Sequence, residues 1–214
     1  MIELLIKVVI AYLIGSINGA LVLGRFYLKG VDIREEGSGN AGGTNAFRSR
    51  GPMFAAGVVA IDVLKGFIAA GFLPGLFRPD AGIGGMDLAT VAAFCGLAVI
   101  IGHCYPVFFG FRGGKGVATL IGVLAAISPA VLLVMLAVGI LTLLLSGYVS
   151  LASIVGTAAT VPASLLFLPI SGGWAVFWFS VFATALIVLT HRDNMQRMRD
   201  GTEGRFESVW LMRR

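Results

Sequence analysis

Charge is scarce in this chain. Asp, Glu, Lys and Arg make up 13% of its 214 residues, about half the share of a soluble domain, and the deficit excludes most water-soluble folds. Cysteine is nearly absent. Cys95 within an apolar run and Cys104 at a loop edge lie about 13 Å apart along a helix, too far for a disulfide, and two cysteines at that spacing make no zinc site. A removable signal is also missing: Glu3 interrupts Met1–Lys7 and no small-residue cleavage site follows, so the first apolar segment is expected to stay in the mature protein. What fills the chain is apolar. Hydrophobic residues account for 57%, and a mean hydropathy of +0.94 indicates a multi-spanning membrane protein. The 30 glycines follow no three-residue period, which excludes collagen.

Apolar stretches run over residues 2–27, 53–73, 88–101, 117–127, 130–145, 149–168 and 174–189. A bilayer core of about 30 Å needs about 20 helical residues, so the first, second and sixth are comfortable spans and several others are short. Ser128-Pro129 interrupts residues 117–145, where proline either kinks one helix or separates two. Cation placement decides between them. With seven helices and the N-terminus outside, thirteen of the sixteen Lys and Arg residues fall on the cytoplasmic side with the C-terminus, leaving Lys7 and Arg78 outside and Lys65 within a span. The positive-inside bias therefore favours seven. The same bias accounts for the net charge of +5 without nucleic acid. No repeat, linker or low-complexity tract appears, so residues 1–214 are read as one all-α polytopic domain.

Three polar segments emerge on the expected cytoplasmic side. The first, residues 37–51, reads GSGNAGGTNAFRSRG. Glycines let backbone amides approach an anion, Ser38 and Thr44 offer hydroxyls, and Arg48 offers a two-pronged grip on phosphate. Residues 37–42 also satisfy G-x-G-x-x-G, with Asp62 twenty positions later. That dinucleotide fingerprint needs a strand before it and a βαβ unit around it, whereas here membrane spans flank it. The second segment, residues 102–119, reads GHCYPVFFGFRGGKGVAT. Gly113–Gly116 is similar to a phosphate loop, but Phe109 and Gly116 break the Walker pattern. Lys115, between glycines at the start of a helix, still presents charge and amides to an anion; its plain alternative is a flexible turn with a snorkelling lysine.

The third segment follows the last span. At helical spacing His191 and Asn194 share a face and Arg197 lies three residues beyond. A basic tail there ordinarily anchors topology, which leaves the histidine and asparagine unexplained. Asp62 and Lys65, three apart within a span, are costly in lipid and point either to helix packing or to chemistry. Gly15 and Gly19, with Ser16 and Asn18 between them, suggest close helix contact. Ser146 in the turn 146–150 could add a hydroxyl to the same site.

These three segments together resemble the signature motifs of the bacterial acyl-phosphate:glycerol-3-phosphate acyltransferases, the PlsY family. Residues 37–51 and 102–119 agree throughout. The third departs at Met195 and Met198, where Ile and Leu are usual, and Asn18 stands where proline is common. The likeness extends from about Tyr12 to Glu203. It implies an integral enzyme of the bacterial inner membrane that moves a fatty acyl group from acyl phosphate to the sn-1 hydroxyl of glycerol 3-phosphate. It further implies no cofactor or metal, the lipid bilayer as surroundings, and a soluble acyl-phosphate-producing enzyme as a partner at the cytoplasmic face.

On this resemblance Ser38, Asn40, Thr44, Asn45 and Arg48 with the amides of Gly37 and Gly39 hold one phosphate, and Lys115 with the amides of Gly113 and Gly114 holds another. His191, Asn194, Arg197 and Glu203 place glycerol phosphate, with Ser146 beside them. Ser38, Arg48, His103, Lys115, His191 and Asn194 are the expected catalytic set. The proton acceptor stays open among His103, His191 and the donor's own phosphate. A transporter for a phosphorylated anion is the competing reading, opposed by the one-sided placement of the polar motifs, and a basic scaffold for anionic lipid is a third.

Overall fold

The computed structural model describes residues 1–76, 85–170 and 172–212, and the elements among them are helices. In chain order they are α1 (Ile2–Ser16), α2 (Gly19–Phe26), α3 (Gly43–Gly71), α4 (Leu88–Cys104), α5 (Val117–Ile127), α6 (Pro129–Ser146), α7 (Val149–Ala158), α8 (Thr160–Leu166), α9 (Gly173–Thr190) and α10 (Arg192–Arg199). Among the described residues, five stretches are long and apolar enough to cross a bilayer, α7 with α8 forming one of them, and the bent pair α1–α2 makes six. The seventh expected span, α5, has 11 residues. At 1.5 Å per residue it reaches about 16 Å, half a bilayer core. The expected outer cation Arg78 and the terminal Arg213 and Arg214 lie outside the described residues.

Two sequence breaks shape these spans. The first apolar stretch does not run straight: Ile17 leaves the helical region, and the Asn18 side chain accepts hydrogen bonds from the amides of Ala20 (3.1 Å) and Leu21 (3.2 Å), capping α2. The two helices meet at 50°. In α3, Gly51 adopts φ 83° before Pro52. Glycine tolerates that conformation and proline suits the first turn of the helix that follows, so a short polar helix precedes the apolar span. At residues 128 and 129 the two-helix alternative holds. Ser128 leaves the helical region (φ −160°, ψ 81°) and Pro129 opens α6.

The chain gathers into two compact units, Met1–Ile127 and Ser128–Arg214. Within the first, α1 packs on α4 and α3 on α5. A Cβ on Gly15 would collide with the Val99 carbonyl, and one on Gly102 with the Tyr12 carbonyl, so the backbones touch. Gly66 and Gly122 do the same for α3 against α5. Gly19 faces α3 rather than α4, so the Gly15 and Gly19 pair serves two neighbours because the break falls between them. In the second unit α6 packs on α7, and α9 on α7 and α8. The segment after α10 folds back on the end of α6: Trp210 Nε1 donates to the Leu145 carbonyl (3.0 Å) and the Phe206 amide to the Gly147 carbonyl (2.8 Å).

Candidate active site

In the first unit the two glycine-rich segments are neighbours, and the link is a residue the sequence reading passed over. Arg34 forks onto Asp32, with Nη2 2.7 Å from Oδ2, while its Nη1 donates to the carbonyls of Phe109 and Arg112, each at 2.9 Å. This ties the loop before α3 to the loop before α5. The hydrogen bonds from Arg34 hold the Asp32 carboxyl below its ordinary range. A clue was present in the sequence: an Asp before a short helical turn is a common cap, and here its side chain accepts from the Arg34 amide.

Residues 37–42 lead into the N-terminus of α3. Gly37 and Gly39 have φ of 57° and 70°, a left-handed conformation that favours glycine. Asn45, 1% exposed, is committed to the loop: its amide nitrogen donates to the carbonyls of Ile33 and Glu36, and its oxygen accepts the Ser38 amide. It shapes the loop rather than presenting its amide outward. Gly37, Ser38, Gly39 and Arg48 are exposed, and Asn40 and Thr44 half-buried, on the same loop and the first turns of α3.

The second segment corrects one expectation. The Gly113 amide donates to the Cys104 carbonyl (3.0 Å) and the Gly114 amide to the His103 carbonyl (3.1 Å). Both therefore satisfy the last turn of α4, whose terminal carbonyls lack partners within the helix, and do not face a phosphate. Glycine is required there for a different reason. A Cβ on Gly113 would lie 2.6 Å from Pro106 Cδ, and one on Gly114 would overlap the His103 imidazole. Lys115 is half-buried, followed by Gly116 at φ 93° and the first turn of α5. The amides of that turn are the ones a helix start leaves for an anion.

Beneath this turn lies a buried polar cluster that sequence separation concealed. Lys65 Nζ reaches Asp62 Oδ1 (2.8 Å), the Ile17 carbonyl (2.9 Å) and His103 Nδ1 (2.9 Å). Asp62 Oδ1 also accepts the Gly19 amide at 3.1 Å. His103 is 2% exposed, so of the expected catalytic residues it is the one enclosed by protein in this unit.

The second unit assembles the third motif. Asn194 Nδ2 donates to Glu203 Oε1 (2.6 Å) and Arg197 Nε to Oε2 (2.8 Å). Gly201 at φ 71° turns the chain so that the Glu203 amide returns to the Arg197 carbonyl. Burial pushes the Glu203 carboxyl up, but donors from Asn194, Arg197 and Ser150 outweigh it and leave the carboxyl below its usual range. His191, at the end of α9, has Nδ1 2.8 Å from the Ile187 carbonyl. A carbonyl can only accept, so Nδ1 carries the proton and Nε2 the lone pair in the neutral ring. Ser146 closes α6 instead of reaching outward: its Oγ donates to the Thr142 carbonyl and accepts the Tyr148 amide.

Known proteins resemble this chain over most of its length. Residues 5–201 match the family described as glycerol-3-phosphate acyltransferase. The chain is 43% identical over 197 residues to the glycerol-3-phosphate acyltransferase of Thermoanaerobacter pseudethanolicus, covering 92% of each. It is 43% identical over 203 residues to that of Aquifex aeolicus, covering 94% of this chain and 98% of the other. Among solved structures it is similar to PlsY, an integral membrane glycerol 3-phosphate acyltransferase, in its glycerol 3-phosphate form (TM-score 0.82, 42% identity, 96% of each chain). The lysophosphatidic acid form gives a TM-score of 0.80 at 41% identity, covering 98% of each chain. With both glycine-rich segments, the Asn194–Glu203–Arg197 set and this match over most of its length, the chain belongs to the PlsY-type glycerol-3-phosphate acyltransferases, integral membrane enzymes of lipid synthesis.

Proposed function

We propose that the enzyme takes its acyl group from an acyl phosphate and delivers it to the sn-1 hydroxyl of glycerol 3-phosphate. The hydroxyl oxygen forms a bond to the acyl carbon, the bond from that carbon to the phosphate oxygen breaks, and phosphate departs with the electron pair. The products are 1-acyl-glycerol 3-phosphate and inorganic phosphate. The observation that carries this reading is the tethering, in one unit, of two cation-bearing glycine turns, Arg48 with Ser38 on one and Lys115 on the other. Such turns suit phosphoryl oxygens. A mixed anhydride is already activated, so the protein's task is to bind charge, orient the substrates and stabilise the oxyanion.

In the first unit roles follow from exposure, and in the second from the Asn194–Glu203–Arg197 set. Ser38, Asn40, Thr44 and Arg48 receive one phosphate with the Gly37–Gly39 turn; Lys115 and the first turn of α5 receive the other. Asn194, Arg197, Glu203 and His191 orient glycerol phosphate. The hydroxyl proton passes to the departing phosphate, a reading supported by the enclosure of His103 beside Lys65. The loops that carry the motifs are cytoplasmic, at the inner membrane, a reading that the cation bias supports. A cysteine at exposed Lys29 should then be labelled only from the cytoplasm, against no background from Cys95 and Cys104, which are both buried.

The decisive assay supplies purified enzyme in detergent with radiolabelled glycerol 3-phosphate and, in turn, acyl phosphate or an acyl thioester. Labelled product with equimolar phosphate release from acyl phosphate alone is expected. Product formed only from the thioester refutes the donor assignment. Arg48→Ala and Lys115→Ala should each lower kcat/KM about a hundredfold, the scale of a lost charge-assisted contact.

A further inference from the structure

Asp62, Lys65 and His103 are buried at 1%, 5% and 2% exposure, and the reaction as described uses none of them directly. Their hydrogen-bond arithmetic determines which nitrogen of His103 holds its proton. An ammonium group has three protons and no lone pair. Lys65 Nζ meets three acceptors, Asp62 Oδ1 at 2.8 Å, the Ile17 carbonyl at 2.9 Å and His103 Nδ1 at 2.9 Å. The Ile17 carbonyl is available because α1 ends there and the Leu21 amide turns to the Asn18 side chain. With all three protons placed, Nδ1 must offer its lone pair, and the neutral ring carries its proton on Nε2. A neutral Lys65 accepting from Nδ1 of a neutral ring would leave the Asp62 carboxylate buried without a cation, which is strongly unfavourable, and an imidazolium beside a neutral Lys65 would move the positive charge from the group 2.8 Å from Asp62 Oδ1 to the one at 3.3 Å. The direct approach of Asp62 Oδ1 to His103 Nδ1, at 3.3 Å, is the longest of the set. Nε2 lies against Gly114, where any Cβ would overlap the ring, immediately before Lys115.

We propose that Asp62 and Lys65 are positioning residues: they lock His103 as the Nε2-protonated tautomer, and the locked ring sets the Gly114 turn that aims Lys115. Neither ring nitrogen is then placed to take the substrate's proton. The inference rests on the reading of Lys115 as a phosphate ligand.

The chain has two histidines, so 15N-histidine labelling of the detergent-solubilised enzyme gives two ring spin systems, assigned by loss of one in His191→Gln. His103 should show a protonated Nε2 and a bare Nδ1, opposite to His191. A protonated Nδ1 on His103, alone or together with Nε2, overturns the proposal, and this measurement needs no variant of the cluster. The double variant Asp62→Asn/Lys65→Met keeps net charge and volume, and its Asn oxygen invites a proton onto Nδ1. It should melt somewhat below the wild type, because the Ile17 carbonyl loses its donor, and raise KM for acyl phosphate about tenfold with a smaller change in kcat, the worth of one misplaced hydrogen-bonding group. On a Lys115→Ala background the same pair should add little, because both act through one contact. A wild-type KM in the double variant, or full additivity with Lys115→Ala, overturns the proposal and leaves the phosphate reading standing. A wild-type KM in Lys115→Ala itself overturns both.

Discussion

Arg34 offers the sharpest test of how the first unit is built. It is a loop residue whose guanidinium carries two bonds to the backbone before α5, both at 2.9 Å. Its partner Asp32 is paired at side-chain exposures of 20% and 32%. Bonds from a charged donor to carbonyls contribute about 1.5 kcal/mol or more each, and a partly exposed ion pair adds at most about 1 kcal/mol. Arg34→Ala should therefore cost about 3 kcal/mol of local order in residues 106–114, which makes opening of that loop about a hundredfold more frequent. The amides of Phe111, Gly113 and Gly114 report it directly, since each donates within the loop or onto the end of α4. Their hydrogen exchange should accelerate by about that factor, while amides in the middle of α6 stay unchanged. Arg34→Lys keeps the charge but loses the planar fork, and should recover only part of the protection. On the proposed phosphate-binding role of Lys115, the kinetic counterpart is a raised KM with little change in kcat, because the loop delivers that lysine rather than reacting. Unaltered exchange at Gly113 and Gly114 in Arg34→Ala, with an unaltered KM, would refute the clamp.

Three further outcomes are expected. Gly114→Ala drives a methyl group into the His103 ring and should cost about 1–3 kcal/mol by overpacking, read as a lower melting temperature; a neutral effect would mean that the ring can move aside. Glu203 has a carboxyl held below its usual range, so its contribution is present above the unfolded pKa of about 4.3 and is lost as pH falls through the folded value. Glu203→Gln should flatten the acid limb of the melting curve, and an identical limb in both proteins would remove that role. Trp210→Ala deletes the bond to the Leu145 carbonyl and the indole face lying 4.2 Å from the Arg205 guanidinium. Trypsin should then cut after Arg205 faster, by the several-fold that about 1 kcal/mol implies; unchanged cleavage would show that the tail is held elsewhere.

Hydropathy made the spans legible, and motif chemistry located the polar segments, because both are local properties of the chain. What stayed hidden was tertiary. Nothing in the spacing of Asp62 and Lys65 announces His103, 38 residues beyond Lys65, nor that a carbonyl freed at Ile17 would complete the cluster. The Gly15 and Gly19 pair suggested one contact surface, whereas the Asn18 cap turns the helix and divides them between α4 and α3. Gly113 and Gly114 read as phosphate amides because they lead directly into Lys115. Their use by the end of α4 depends on how residues 105–112 fold back, and Arg34, from another segment, pins that path.

A rule about such membrane sites follows. Far from water a buried polar group must find its partners in the protein, so a polar motif must include its own supports. Asn45, His103, Ser146 and the amides of Gly113 and Gly114 have their bonds turned onto backbone or buried side chains, while Ser38 and Arg48 stand exposed and Lys115 half-buried. The two groups look alike in sequence, but their failures should differ. Substituting a support should first lower melting temperature and loosen substrate binding. Removing an exposed ligand residue should leave the fold intact and reduce kcat/KM. A stable, well-folded Asn45→Ala with a selective loss of kcat would place Asn45 in the second group and break the rule at its clearest case.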